Sequence, residues 1–196
     1  MKRFFGSLAV VAVLAVAVPS ALFAQSGGLT SYYKPGNVAL GVDVGFGNYY
    51  SSLSVSGYPS FELFLAKFRI GDYLPLDIGV AVKGRLGLEA GFGGAGLDAG
   101  VGGFVTAHLG FRGLPQGLDE ILGKVDLFVG LGPTFDILGY YTGLHFGEYS
   151  GISYFINDNF AVTLSDTWWG YYYFDYTIGV RYKFGSSEAA MKSVKK

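Results

Sequence analysis

The chain has no cysteine, which removes thiol catalysis, disulfide staples and thiolate metal sites together. It has only two histidines, too few for a histidine-based metal centre. Charged residues make up 15% of it, against roughly 25% in a soluble domain. The formal net charge of −1 gives no electrostatic footprint for nucleic acid. Beyond residue 24 no stretch reaches ~18 consecutive apolar residues, so no helix there could span a bilayer.

What the chain does have is glycine and rings. There are 32 glycines in 196 residues, and aromatics make up 17%. The glycines follow no three-residue period, which excludes collagen. So many glycines also argue against a helical bundle, since each costs a helix about 1 kcal/mol relative to alanine. The aromatic content argues against disorder. The length fits one domain.

The first 24 residues read as a secretory signal peptide. Lys2 and Arg3 give a positive start, Leu8 to Val18 is uninterrupted apolar chain, Pro19 and Ser20 break it, and Ala24 offers a small residue before cleavage at Gln25. The expected organisation is therefore a signal peptide over 1–24, a periplasmic lead-in over 25–36, a barrel over 37–184 and a polar basic tail over 185–196. The tail composition reads as a disordered extension.

Alternation carries the fold. From Leu76 to Glu89, one face holds Leu76, Ile78, Val80, Val82, Leu86 and Leu88. The other holds Asp77, Gly79, Ala81, Lys83, Arg85 and Glu89. The same split recurs over Val38–Phe46, over Lys124–Leu131 and, most clearly, from Phe174 to Phe184. A period of two held this long predicts membrane-crossing strands, which need about 9–11 residues. The polar face is also the small face, as the tight lumen of a small barrel requires, and the bulky aliphatic face suits lipid. A soluble ligand-carrying barrel would invert this arrangement.

The pattern predicts an all-β fold: a closed, antiparallel, up-and-down transmembrane barrel of about eight strands. They are expected near Asn37–Tyr50, Phe61–Ile70, Leu76–Glu89, Ala99–Arg112, Lys124–Thr134, Leu144–Phe155, Phe160–Thr167 and Tyr171–Phe184. The second changes phase near Ala66, which a β-bulge or a strand end outside lipid would resolve. Glu148 falls in phase with Phe146 and Ile152. Pro133 is expected only at a rim. Turns at Gly71-Asp72, Gly113–Gly117 and Asn157–Asn159 would share the end with both termini. Ser51–Ser60, Ala90–Leu97, Phe135–Gly143 and Asp166–Gly170 would form the opposite loops.

Aromatics are expected at the two membrane interfaces. Tyr49, Tyr50, Tyr140, Tyr141, Trp168, Trp169, Tyr171 and Tyr172 would form one girdle. Tyr73, Tyr154, Phe155, Tyr182 and Phe184 would form the other.

Gly151 to Leu164, followed by Tyr176 to Phe184, resembles the last hairpin and closing strand of small outer-membrane barrels of the OmpA/OmpX/OmpW type. In that family the closing strand ends in an aromatic with apolar residues at alternate positions, and the barrel-assembly machinery reads it. Ile178, Val180, Tyr182 and Phe184 match the pattern. The resemblance implies an outer-membrane location, with outer-membrane lipid and that machinery as partners. Here Phe184 is followed by twelve further residues instead of ending the chain.

The lumen face would carry Asp43, Glu62, Asp77, Lys83, Arg85, Glu89, His108, Arg112, Lys124, Asp126, Asp175, Arg181 and Lys183. Charges of both signs read as a filled, mutually paired interior; a selective channel is the alternative. Glu62 is expected near Lys83. His145 with Glu148 and Ser150 is the best candidate for a catalytic set, but on a strand both partners point away from it. Gly91–Gly96 imitates a phosphate loop without the helix that loop needs. No cofactor, metal or nucleic-acid partner is expected, and no small-molecule ligand is specified. Three functions stay open: a structural or surface barrel, a narrow conduit for small or apolar solutes, and a lipid-modifying enzyme.

Overall fold

A computed structural model describes residues 29–49, 52–71, 74–91, 94–115, 117–139, 142–170 and 173–185. The expected signal peptide, Tyr73 and all of the expected tail except Gly185 lie outside these residues.

Eight strands form the fold: β1 (Val38–Tyr49), β2 (Ser52–Ile70), β3 (Leu74–Gly91), β4 (Gly94–Gly110), β5 (Val125–Leu138), β6 (Gly143–Phe155), β7 (Phe160–Trp169) and β8 (Tyr173–Phe184). Each pairs antiparallel with the next, and β1 pairs with β8, so the sheet closes into a barrel without a free edge. Closure satisfies every ladder between neighbours, which the hydrocarbon of a bilayer demands. The end where β1 begins and β8 stops, with the turns after β2, β4 and β6, is the terminal end. The other is the distal end.

Orientation follows the period-two pattern. Val42, Val44, Val82, Leu86, Leu164, Ile178 and Val180 point outward and are exposed, while Asp43, Lys83, Arg85, Thr163 and Arg181 point inward and are buried. A soluble carrier would show the reverse. Each such aliphatic left in water forgoes about 1.5–3 kcal/mol, so this wall belongs in lipid.

The distal ends run further than expected. Ser52–Ser60 is strand, not loop, as are Ala90–Gly91, Gly94–Leu97, Phe135–Leu138 and Asp166–Trp169. In β2 the reason is small polar residues facing inward: Ser54 and Ser56 are buried while Leu53 and Val55 face out. At the other end β4 stops at Gly110, two residues short of the expected Arg112.

The phase change in β2 is a bulge between Phe64 and Ala66, which keeps Lys67 on the inner face opposite Asp77. Pro133 lies inside β5, not at a rim. The β4–β5 pairing skips from Gly102–Thr134 to Val105–Leu131 at that point, while Pro133 stays in register with Phe146 of β6. A Cβ on the adjoining Gly132 would collide with the Gly103 carbonyl, so only glycine fits this close approach.

At the terminal end, the row Leu76, Leu109 and Leu127 occupies outward positions. It packs with Leu29, Phe111 and Leu114, which come from the chain before β1 and from the β4–β5 connection. That connection therefore folds back over the outside of the wall. Lys124, at the end of a short 3₁₀ turn, places its ammonium 5.9 Å from the centre of the outward-facing Tyr154 ring.

Candidate functional site

The lumen is filled in tiers. At mid-height Tyr58, Ala81, Phe104, Phe128, Tyr149 and Trp169 form an apolar and aromatic cluster across the barrel. Lys83 threads it, with its ammonium 5.0 Å and 4.5 Å from the Tyr58 and Tyr149 ring centres. It pairs with Asp43 at 3.3 Å, and Asp43 also accepts from the Thr163 hydroxyl at 2.7 Å. Ring faces and a carboxylate together give the buried cation the compensation that an apolar interior would not.

Toward the terminal end lies a charged network. His108 is buried with Nε2 at 2.9 Å from Glu62 Oε1 and Nδ1 at 2.8 Å from Asp126 Oδ2. An imidazolium satisfies both carboxylates by donating from each nitrogen. Glu62 also accepts from Thr106 and pairs with Arg181 at 3.4 Å. The Arg181 guanidinium lies 4.8 Å from the centre of Phe128. Glu62 and Lys83 share the lumen face and line one cavity of about 10 Å³ with Asp43, Ser60, Tyr149 and Arg181. Their salt bridges go elsewhere, Glu62 to His108 and Arg181, and Lys83 to Asp43. The cavity has room for about one water.

The distal tier is acidic. Asp98 pairs with Arg85 at 3.2 Å. Asp136 accepts from the Trp169 indole N–H at 2.7 Å, with His145 Nε2 3.7 Å from its other oxygen. Asp175 accepts from Tyr58 at 2.5 Å and Ser54 at 3.1 Å. Glu89 is buried beside them.

The terminal mouth is closed by residues 29–37, expected only as a lead-in. Thr30 forms an antiparallel bridge with Arg112. Tyr32 stacks on Phe155 at 3.7 Å, and Tyr33 on Phe64 at 3.8 Å with its edge toward His108. Lys183 and Lys67 donate to the carbonyls of Tyr32 and Tyr33 at 2.9 Å and 2.8 Å. Arg181 donates to the Tyr33 hydroxyl at 3.4 Å. The chain then reverses into β1 through Lys34–Asn37, where Gly36 takes φ 86° and the Asn37 N–H closes the turn on the Lys34 carbonyl. Burial pushes the Tyr32 phenol up to about 12. Burial raises Tyr33 as well, so both stay neutral at physiological pH.

Eleven of the thirteen charged residues expected in the lumen are buried on its face: Asp43, Glu62, Asp77, Lys83, Arg85, Glu89, His108, Asp126, Asp175, Arg181 and Lys183. Two are not. Arg112 lies past the end of β4 at the rim, paired with Asp158 at 2.9 Å and stacked over Tyr32. Lys124 turns to the outside of the wall, because the 3₁₀ turn breaks the strand's phase before Asp126.

Trp169 and Phe155 do not belong to girdles. Both are fully inside the lumen, since adjacent residues on a strand face opposite ways and Trp168 and Tyr154 take the outward places. Tyr182 and Phe184 face outward. Tyr49 ends β1, while Tyr50, Tyr140, Tyr141, Tyr171 and Tyr172 lie outside the described residues. The sequence reading missed Tyr32, Tyr33, Tyr58, Asp98 and Asp136. Strand phase would have found the last three had β2, β4 and β5 been extended to their true distal ends.

His145 is separated from Glu148 and Ser150 by the wall itself, since its partner Asp136 is in the lumen, while Ser150 bonds Asp166 on the outside and Glu148 shares that outer face of β6. Among the described residues no group of three or more His, Cys, Asp or Glu side chains could hold a metal.

No family model and no curated protein matches the chain. Among solved structures it is similar to the N-terminal β-barrel domain of Pseudomonas aeruginosa OprF, at 15% identity and TM-score 0.48 over 76% of this chain and 98% of that one. It is also similar to the Yersinia pestis outer membrane protein Ail, at 16% identity and TM-score 0.39 over 76% and 99%. A de novo designed transmembrane β-barrel matches at 18% identity and TM-score 0.40 over 78% and 98%.

Proposed function

We propose that this chain is an integral outer-membrane barrel with a structural or surface role, whose lumen is a packed core and not a passage. The carrying observation is that the lumen is filled at three levels and closed at one mouth by the chain's own Tyr32 and Tyr33. A path along the axis would have to displace the Tyr58–Trp169 cluster, the His108 network and that plug. Below the acidic distal tier, interior cations and anions hold one another, Lys83 with Asp43, and His108 and Arg181 with Glu62.

In this reading the terminal end is periplasmic and the distal turns face outward. Residues 1–24 direct export, and outer-membrane lipid surrounds the aliphatic wall. The barrel-assembly machinery engages β8, where Ile178, Val180, Tyr182 and Phe184 lie exposed on one face. The placement of His145, Ser150 and Glu148 on two sides of a wall supports a non-catalytic role.

Planar-bilayer recording of the full chain tests the proposal. A silent bilayer agrees with it. A steady single-channel conductance would replace it with the narrow-conduit reading.

A further inference from the structure

Among the described side chains, the outward faces of the eight strands are aliphatic, aromatic or glycine, with three exceptions. These are Glu148 and Ser150 on β6 and Asp166 on β7. They are neighbours. Ser150 stands directly opposite Asp166 in the β6–β7 ladder and donates its hydroxyl to Asp166 Oδ1 at 2.6 Å. Glu148 is the next outward residue toward the distal end, opposite Trp168 on one side and Leu131 on the other. Asp166 and Glu148 are therefore diagonal neighbours, within reach of a shared partner.

Ionisable groups on a lipid-facing wall are costly and mark a function by default. Glu148 makes the case sharper. The residue is 7% exposed, and its carboxylate has no hydrogen bond or salt bridge among the described residues. The spot holds two carboxylates and a hydroxyl, and no basic side chain shares the outward face of any described strand. A second copy docking its own wall here would bring carboxylate against carboxylate, so the missing partner is a cation from outside the described residues.

Height identifies its setting. Asp166 is three residues before the end of β7 at Trp169, which at ~3.3 Å per residue and a tilt of ~40° places it roughly 8 Å below the distal end of that strand. Trp168 and Tyr176 flank it on the outer face, the rings expected at headgroup level. An oxygen-only set of two carboxylates beside phosphates is the usual setting for a hard divalent cation, which takes one or two carboxylates and completes its shell from phosphate and water.

We propose that Glu148 and Asp166, with Ser150 orienting Asp166, form a divalent-cation site on the lipid-facing wall, completed by the phosphate of a lipid headgroup. The site would pin one lipid to the β6–β7 seam. It goes beyond the closed-lumen role, since it uses the opposite face of the wall and is independent of whether the lumen conducts.

Terbium luminescence on the full chain tests this, with Trp168 as the adjacent sensitiser. In phospholipid nanodiscs, saturable Tb³⁺ emission displaced by Ca²⁺ is expected. Glu148→Gln and Asp166→Asn should each weaken it about tenfold or more, with the lumen control Glu89→Gln unchanged. Trp168→Phe should dim the emission without changing the Ca²⁺ competition. In maltoside micelles, which carry no phosphate, affinity should fall by a similar factor. Heat-modifiable gel migration confirms that each variant is folded. Absent saturable binding, or binding that Glu148→Gln and Asp166→Asn leave intact, overturns the site. Equal affinity in nanodiscs and micelles overturns the role of the headgroup phosphate.

Discussion

Tyr33, from the segment before the first strand, lies flat on Phe64 of β2 with ring centroids 3.8 Å apart, well inside the barrel mouth. The stack anchors a plug that also uses two lysine-to-carbonyl bonds and a second stack of Tyr32 on Phe155. The plug is thus part of the core, and no other described residues cover that mouth of the lumen.

Tyr33→Ala should cost about 3–5 kcal/mol, the usual range for deleting a buried ring. Urea unfolding in micelles checks it. Tyr33→Phe keeps the stack and loses only the Arg181 contact, so it should retain most of the stability.

The plug should loosen at alkaline pH. The phenol of Tyr32 is raised from its ordinary 10.0 to about 12 when docked. A raised value means the docked state prefers the neutral ring. The contribution is whole below pH 10 and is lost as pH climbs from 10 through 12. Amide exchange of residues 29–36 should rise across that window in the native chain, and less steeply in Tyr32→Phe.

His108 holds two carboxylates at once, Glu62 and Asp126. His108→Leu should strip Asp126 of its ring partner, leave Glu62 with only Arg181 and Thr106, and cost about 3–5 kcal/mol. Adding Glu62→Gln and Asp126→Asn to it should recover part of the loss, which a double-mutant series in urea would measure. No recovery would mean that the ring acts by packing alone.

The two tryptophans should behave as opposites. Trp168 is half-buried on the outer wall and Trp169 is fully inside, donating to Asp136. In brominated-lipid vesicles, Trp169→Phe, which leaves Trp168 as emitter, should be strongly quenched, and Trp168→Phe should be protected. Trp169→Phe should also destabilise by about 1–3 kcal/mol through the orphaned Asp136 oxygen.

Much of the architecture was legible because size and polarity alternate together. Phe174 to Phe184 announced both faces of β8, and the clash of Lys67 with the phase of Leu63 announced the bulge. The distal halves of β2 and β4 hid because serine, glycine and proline also spell turns. In Ser52–Ser60 they are instead small lumen residues and an outward Pro59. The plug hid for a different reason. Nothing in Tyr32-Tyr33-Lys34-Pro35-Gly36 marks a lumen, and only the closed ring shows where the stacking partners Phe64 and Phe155 stand. Trp169 was misplaced by counting rings as a cluster instead of assigning each a side.

The central claim is that the aliphatic flank of each strand meets lipid and the charged flank is packed within. The chain has no cysteine, so single cysteines introduced along 176–183 of β8 can carry a spin label without interference. Collision with oxygen should peak at Tyr176, Ile178, Val180 and Tyr182 and vanish at the positions between, with the water-soluble nickel chelate excluded from both sets. Chelate access at Ile178 and Val180, equal to that of an exposed turn, would contradict the account.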